Sequence, residues 1–284
     1  MRASTPSRRP GFTLVEVLIA LVLTAIVGAA VTSVFMSQNA YYDAQEKISS
    51  ARAVSRAAIN MLLTELRAVE TTDGLIAAGP DSLRVKVPFA LGVSCGSLHV
   101  SLLPVDSAVL AQALPRYAGY QWRDPATGTY SSVAGGTIAT VTGSNPCTTA
   151  TYPIRTTFSD MSHRGRVMLL PTGTVPTATV VLLYQVITYR FDDSALVPGE
   201  RGLWREVEGI AGTAEELAAP FDETAHFRFY ELDNTSAQDA PPTDIDDLRG
   251  VELVMTGRSD RPGAGGSERT TPLTTAIFFR NRID

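Results

Sequence analysis

The sequence predicts an α+β protein in which a long N-terminal α-helix packs on a mostly antiparallel β-sheet. Three observations lead to this fold class. Residues 12–36 form an apolar run whose only charged side chain is Glu16, and no proline occurs between Pro10 and Pro80. After Gly74 the apolar residues recur with a period near two, which is typical of strands.

The apolar run is long enough to cross a membrane. At about 1.5 Å per residue, a helix over 12–36 spans roughly 38 Å, against a bilayer core of about 30 Å. We therefore predict a transmembrane helix at 12–36. The preceding arginines are Arg2, Arg8 and Arg9. Their positive charge predicts that the start of the chain stays in the cytoplasm, with the rest outside, in the periplasm.

Glu16 is the unusual residue of this run. A carboxylate near the centre of a bilayer costs about 2.5 to 3.5 kcal/mol on insertion scales. The sequence therefore predicts that Glu16 has a partner.

The helix should continue beyond the membrane to residue 72. Its second half has apolar side chains every three or four positions, at Ile48, Ala51, Val54, Ala58, Met61, Leu62, Leu66 and Val69. This pattern predicts an amphipathic helix that packs on a globular head. We expect it to stop before Thr72-Asp73-Gly74, where glycine can supply a left-handed cap. A coiled-coil stalk is disfavoured because no strict heptad persists.

Residues 73–284 are predicted to form a strand-rich head. The expected strands are 82–89, 97–103, 166–170, 178–191, 202–208, 225–231, 248–256 and 273–280. A segment rich in Pro, Gly, Ser and Thr around 104–165 is interpreted as a variable insertion with short strands. No helical pattern alternates with the strands, so the sheet should be antiparallel.

The two cysteines, Cys95 and Cys147, both fall in this head. A single disulfide is the expectation if the compartment is oxidising, and two buried free thiols are the alternative. Two cysteines without CxxC spacing and three scattered histidines do not make a zinc site.

The segment Gly11-Phe12-Thr13-Leu14-Val15-Glu16 resembles the start of the type IV pilin and pseudopilin superfamily. The resemblance implies that residues 1–11 are a leader, which a prepilin peptidase removes between Gly11 and Phe12 before methylating the new amino group of Phe12. It also implies that Glu16 pairs with the ammonium of a neighbouring subunit and fixes axial register. The implied partners are that peptidase, other pilins or pseudopilins, the inner-membrane assembly platform and the lipid bilayer.

Two further segments are similar to subgroups of that superfamily. Tyr189-Arg190-Phe191 followed by Gly202-Leu203-Trp204-Arg205 looks like a hairpin of the PilW-like minor pilins and of the J-type pseudopilins of type II secretion. The last strand, at 276–279, lies close to the C-terminus, as in those groups. The resemblance implies a structural subunit, not an enzyme, with no cofactor, in a type IV pilus or a type II secretion pseudopilus, and the large head suggests a place at the tip.

Two other functions stay open. Gly28-Ala29-Ala30 would suit a signal peptidase, so the chain could be a secreted enzyme or binding domain. It could also be a competence pseudopilin that handles DNA. Without residues 1–11 the chain has 21 basic and 29 acidic side chains, a net charge of −8, so no nucleic-acid partner is expected.

Few residues suggest chemistry. The sequence has no GxSxG, P-loop, HExxH or dinucleotide motif. Asp192-Asp193 and Asp244-Ile245-Asp246-Asp247 could bind calcium, but neither has EF-hand spacing, and solvated acidic loops are the preferred interpretation. Arg258, Arg261 and Arg269 could contact a phosphate or a partner, although a solvated loop is favoured again.

Overall fold

A computed structural model describes residues 13–70, 73–96, 98–103, 107–141, 147, 167–232, 234–258 and 270–279. It begins with helix α1, Leu14–Leu66, a continuous helix of 53 residues. The helix contains a single glycine, Gly28, and no proline, so nothing in its sequence interrupts the hydrogen-bond ladder.

The end of α1 differs from the prediction. The helix stops at Leu66 instead of 72, and its last turn tightens, because Ala68 N donates to Glu65 O (3.1 Å) and Val69 N donates to Leu66 O (3.2 Å). Val69, three residues after Leu66, is fully buried and packs in the same core of the head.

The predicted glycine cap is wrong. The C-cap of α1 is Arg67, in a right-handed conformation, and the residue with a left-handed backbone is Asp73 (φ 61°). Gly74 has a different role, since a Cβ at this position would clash with the backbone of Glu70. The glycine allows two backbone segments to approach each other closely.

The head is a 13-stranded sheet, and every pairing between the described strands is antiparallel. Together with α1, this confirms the predicted α+β fold. The strands are β1 Leu75–Gly79, β2 Ser82–Ser94, β3 His99–Leu102, β4 Gly119–Arg123, β5 Tyr130–Ala134, β6 Ala139–Thr140, β7 Val167–Leu169, β8 Val180–Asp193, β9 Arg201–Val207, β10 Glu215–Phe221, β11 His226–Glu231, β12 Leu248–Arg258 and β13 Thr270–Phe278. A short helix, α2 (Ser107–Ala113), lies between β3 and β4.

Strand β8 is the centre of the sheet. One of its sides pairs with β2 along residues 180–190. Its other side is divided, because residues 181–184 pair with β4 and residues 187–193 pair with β9. Strands β4 and β5, from the segment interpreted as an insertion, therefore extend the same sheet as the rest of the head.

A bulge in β2 separates two cores. Along β2 the buried positions change from odd to even numbers between Val87 and Ala90, because the register with β8 shifts there and the extra residue keeps the buried side chains on one face. The first core, under α1, contains Val85, Val87, Ile187 and Tyr189; the second contains Ala90, Tyr120, Val181 and Leu183, with Leu110 of α2 against it.

Among the described side chains of α1, those that enter the first core belong to its last turns. Ile59, Leu62, Leu66 and Val69 are buried there, and Leu62 and Leu66 are completely inaccessible to solvent. Met61, predicted on the same apolar face, instead faces solvent with 46% of its surface exposed. A helix on a flat sheet buries a narrow stripe, and Met61 falls outside it. The side chains of Ile48, Ala51, Val54 and Ala58 lie outside the described residues.

Candidate assembly site on the N-terminal helix

Glu16 lies in the first turn of α1, and its carboxylate caps that helix. Thr13 is the N-cap: its backbone N and its Oγ1 both donate to Glu16 Oε2, at 2.9 and 3.0 Å. Glu16 N in turn donates to Thr13 Oγ1 at 3.3 Å. This reciprocal capping box satisfies the carboxylate within its own chain, at the helix end whose dipole favours negative charge.

Thr13 is the residue of this site that the sequence analysis missed. Its signal was present, because a threonine followed three residues later by a glutamate before an apolar run is the pattern of a capping box. Gly11 and Phe12 lie outside the described residues, so the structure does not test their predicted cleavage and methylation.

The apolar surface of α1 is not covered by the head. Residues Leu14–Asp43 form a helix that is long and apolar enough to span a membrane. The apolar stretch that gives the helix this property is not buried by the rest of the protein. Large side chains along it are exposed, including Leu14 (78%), Leu21 (67%) and Phe35 (62%). Two threonine hydroxyls in this stretch are satisfied inside the helix: Thr24 Oγ1 donates to Ala20 O, and Thr32 Oγ1 donates to Gly28 O.

The exposure continues past the apolar run. Every side chain described from Leu14 to Arg56 is exposed, including Tyr41 and Tyr42, and Ile59 is the first buried one among those described. At about 1.5 Å per residue, the part of the helix before Ile59 is a rod of roughly 67 Å. Such a surface is available to lipid or to other protein chains.

A largely buried ion pair fixes the C-terminal end of α1 to the sheet. Arg205 on β9 donates to both carboxylate oxygens of Glu65 on α1, from Nε at 3.1 Å and from Nη2 at 3.0 Å. The Arg205 side chain is 8% exposed, and its Nη1 also reaches Glu215 at 3.4 Å. Because the contact consists of two hydrogen bonds, it fixes both the rotation of the helix and its distance from the sheet.

Comparison with known families identifies the start of this helix. A family model described as the prokaryotic N-terminal methylation motif matches residues 6–32. The chain carries a prepilin-type methylation motif. This match supports the type IV pilin and pseudopilin superfamily, in which a precursor is processed by prepilin peptidase and assembles with other pilins. Comparisons with curated proteins and with solved structures gave no match.

The prepilin motif and the exposed helix are consistent with membrane anchoring. The motif includes Gly11, Phe12 and Glu16, the three residues singled out in the sequence for cleavage, methylation and subunit registration.

The structure pairs the two cysteines of the head. Cys95 and Cys147 are disulfide-bonded, with their Cα atoms 5.0 Å apart. Both are buried in a small cluster with Val93 and Val167. The bond connects the end of β2 to the segment that precedes β7.

Two of the acidic candidates for calcium, Asp192 and Asp244, have other partners. The carboxylate of Asp192 accepts hydrogen bonds from the backbone nitrogen of Asp193 and from Arg190 Nε. Both bonds lower the pKa of Asp192, and the bond from the backbone has the larger effect. Asp244 caps the turn that begins at Ile245. Within the described ranges, no group of three or more His, Cys, Asp or Glu side chains could hold a metal ion. Arg261, Arg269 and the side chain of Arg258 lie outside those ranges.

Proposed function

We propose that this chain is a minor pilin or pseudopilin. Prepilin peptidase would cleave it between Gly11 and Phe12, and Phe12 would become N-methylated. The α1 rod would hold it in the inner membrane, with the head in the periplasm, until the assembly platform adds it to a type IV pilus or a type II secretion pseudopilus. The observation that carries the proposal is the combination of the prepilin motif with an apolar helix that the head leaves uncovered.

Glu16 is proposed to register the subunit in the filament. Before assembly, Thr13 satisfies its carboxylate, which lowers the cost of holding it in lipid. On assembly, the free ammonium of Phe12 in a neighbouring subunit would pair with that carboxylate. A charged pair is far less costly in an apolar medium than either charge alone. The axial position in which the two charges of neighbouring subunits meet is therefore strongly preferred.

The head supports a minor rather than a major subunit. Tyr189 and Phe191 on β8 pair with Arg205 and Leu203 on β9, so the two segments that resemble PilW-like minor pilins and J-type pseudopilins do form one hairpin. A 13-stranded sheet is bulky to repeat along a tightly packed shaft. We therefore propose a low-copy position near the filament tip, where one side is free of neighbours.

Quantitative mass spectrometry of sheared filaments tests this position. The chain should be far scarcer than the major pilin, and its deletion should reduce the number of filaments. Equal abundance along the shaft would show that the subunit is a major one.

A structural role also implies that the head is not an enzyme and needs no cofactor. The competing functions are a secreted enzyme or binding domain behind a signal peptide, and a competence pseudopilin. The net charge of −8 without residues 1–11 disfavours DNA as a partner. Loss of DNA uptake on deletion, with pili and secretion intact, would favour the competence function instead.

A further inference from the structure

Strand β13 forms an open edge of the sheet. Within the described part of the chain, β12 is the one strand that pairs with it. The register between the two runs through nine consecutive pairs without a bulge. The outer edge of β11 differs, because Phe229 exchanges two backbone hydrogen bonds with Gln238 there. The chain therefore covers the edge beside β11 and leaves the edge of β13 open.

The backbone of β13 directs unpaired groups outward at alternate residues. Phe279 N donates to Arg249 O at 3.0 Å, so Phe279 bonds toward β12. Residues that bond the neighbour and residues that face outward alternate in an antiparallel ladder. Thr274, Ala276 and Phe278 therefore direct their N–H and C=O groups away from β12.

This edge lacks most of the protection that exposed strands usually have. Natural edge strands are short, bulged, charged or interrupted by proline, because an open ladder pairs readily with other chains. Strand β13 has nine residues, no charged side chain and no bulge. Pro272 lies near its start, at an outward position where the missing N–H is tolerated. Residues 274–278 are left without such a device.

Phe278 gives the open edge an apolar platform. Its side chain is 50% exposed. The ring lies on Gly250, where an added Cβ would come within 2.7 Å of it, and the ring centroid is 5.0 Å from that of Tyr230. The guanidinium of Arg249 lies 5.6 Å from the same centroid. These contacts hold the ring in place, while its exposed part can receive a side chain from an adjacent strand.

We propose that this edge binds an extended strand of a partner protein, which adds to the sheet beside β13. The outward groups of Thr274, Ala276 and Phe278 are complementary to the backbone of another strand. An apolar side chain of that strand would pack on Phe278, whereas a lysine there would meet the charge of Arg249 and be repelled. The site lies on the head and needs neither processing nor filament assembly, so it goes beyond the proposed function.

A second copy of this chain does not suit the same edge. Two β13 strands paired antiparallel would be related by a two-fold axis normal to the sheet. Because α1 packs along the sheet, this axis would turn the two α1 rods in opposite directions. Their apolar segments, Leu14–Asp43, could not then enter one membrane. The strand is therefore expected from a different protein.

A synthetic strand can measure this binding. The probe is an amidated Thr-Val-Thr-Val-Thr-Val peptide with a fluorophore on a flexible N-terminal linker, titrated with the full-length protein in detergent micelles. Fluorescence anisotropy should show saturable binding above the background of micelles without protein. No saturable binding would overturn the proposal.

Two control peptides test how the probe binds. N-methylation of its two central residues blocks both of its backbone edges, and lysine in place of the valines removes the apolar contact with Phe278. Each control should bind at least ~10-fold more weakly than the probe. Binding of either control as tight as that of the probe would contradict strand addition beside Phe278.

Variants of β13 locate the binding. Ala276→Pro removes an outward N–H but no bond to β12, so the head should fold while peptide binding weakens at least ~10-fold. The matched control, Ala276→Ser, keeps the N–H and should bind within ~2-fold of wild type. Thr274→Pro makes the same kind of change at the other end of the open segment and replaces Ala276→Pro if that variant does not fold. Wild-type binding by a folded proline variant would overturn the site.

The same titration distinguishes a second copy from a foreign strand. Unlabelled protein should not displace the peptide, and the protein should sediment as a monomer in its micelle. Displacement of the peptide together with a dimer that Ala276→Pro abolishes would show that a second copy occupies the edge, and would overturn the choice of partner.

Discussion

The two ends of α1 belong to one continuous helix but have opposite surroundings. From Leu14 to Arg56 every described side chain is exposed, whereas Leu62 and Leu66 are completely buried against the sheet. An apolar surface as large as that of the first end is not stable in water, so it requires lipid or other subunits. The second end requires nothing beyond its own head. One helix therefore presents an exposed apolar surface at one end and a folding contact with the head at the other, and the two use different residues.

The largest effect should come from the exposed end. Glu16→Ala should leave processing and membrane insertion intact, because removing a charge from the apolar run eases insertion. Incorporation into filaments should fall at least ~10-fold, because the ammonium of a neighbouring subunit would lose its partner. The amount of the variant that co-purifies with filaments measures this.

The matched control for that experiment is Glu46→Ala, which removes a carboxylate from an exposed position further along the same helix. It should assemble nearly as well as wild type. Wild-type incorporation of Glu16→Ala would count against the registration role.

The buried end should determine the stability of the head. Leu66→Ala leaves a cavity in the first core and should lower the free energy of unfolding by about 2–5 kcal/mol. Leu23→Ala makes the same change at an exposed site (57%) and should leave head stability unchanged. Denaturant unfolding of the full chain in micelles, followed by tryptophan fluorescence, compares them. Similar losses in both variants would show that the two ends are not independent.

The ion pair between α1 and β9 gives a smaller effect. Glu65→Gln weakens the two-point contact with the largely buried Arg205 and should cost about 1–2 kcal/mol. Glu206→Gln disturbs an exposed pair with Arg190 on the same sheet and should cost less than about 1 kcal/mol. If Glu206→Gln proved the more harmful, the helix would not be held as described.

The smallest effect concerns high pH. Burial raises the pKa of Tyr130 and of Tyr184 from 10.0 to about 12. Glu70, near Tyr130, and the charge of Asp73, near Tyr184, add to the rise. A raised tyrosine pKa means that the folded head holds the proton more tightly than the unfolded chain. This contribution to stability is complete below pH 10 and is lost as the pH rises toward 12. Thermal unfolding at several pH values should show this loss, and Tyr184→Phe should reduce it.

Much of this architecture could be predicted from periodicity. The apolar run and the absence of proline indicated α1, and alternation located the strong strands β2, β8 and β12. The weak elements were missed. Strand β10 has the sequence Glu-Glu-Leu-Ala-Ala-Pro-Phe, without alternation, and it is a strand because it returns along β9 after a turn. The short helix α2 has the sequence Ser-Ala-Val-Leu-Ala-Gln-Ala, which is too short to show a clear amphipathic period.

The residues discussed above as sites also differ in whether a local sequence pattern indicates them. Glu16 was singled out because a carboxylate in an apolar run is a local signal, and Thr13 was recognisable from a local motif. The contact between Glu70 and Tyr130 has no such signal. Glu70 and Tyr130 meet only because the sheet brings the β4–β5 hairpin beside the segment that follows α1. Contacts between distant segments depend on the register of the whole sheet, which the sequence pattern does not specify.

The most direct test of the account is the N-terminus of the mature protein. N-terminal sequencing and intact mass of the membrane-extracted chain should find N-methylated Phe12 in the wild type. Gly11→Val should keep Met1, because a β-branched residue is stiff where the backbone has to enter the peptidase. A mature chain that starts near Val31 would indicate a signal peptide, and a Gly11→Val protein still cut before Phe12 would contradict processing at the prepilin motif.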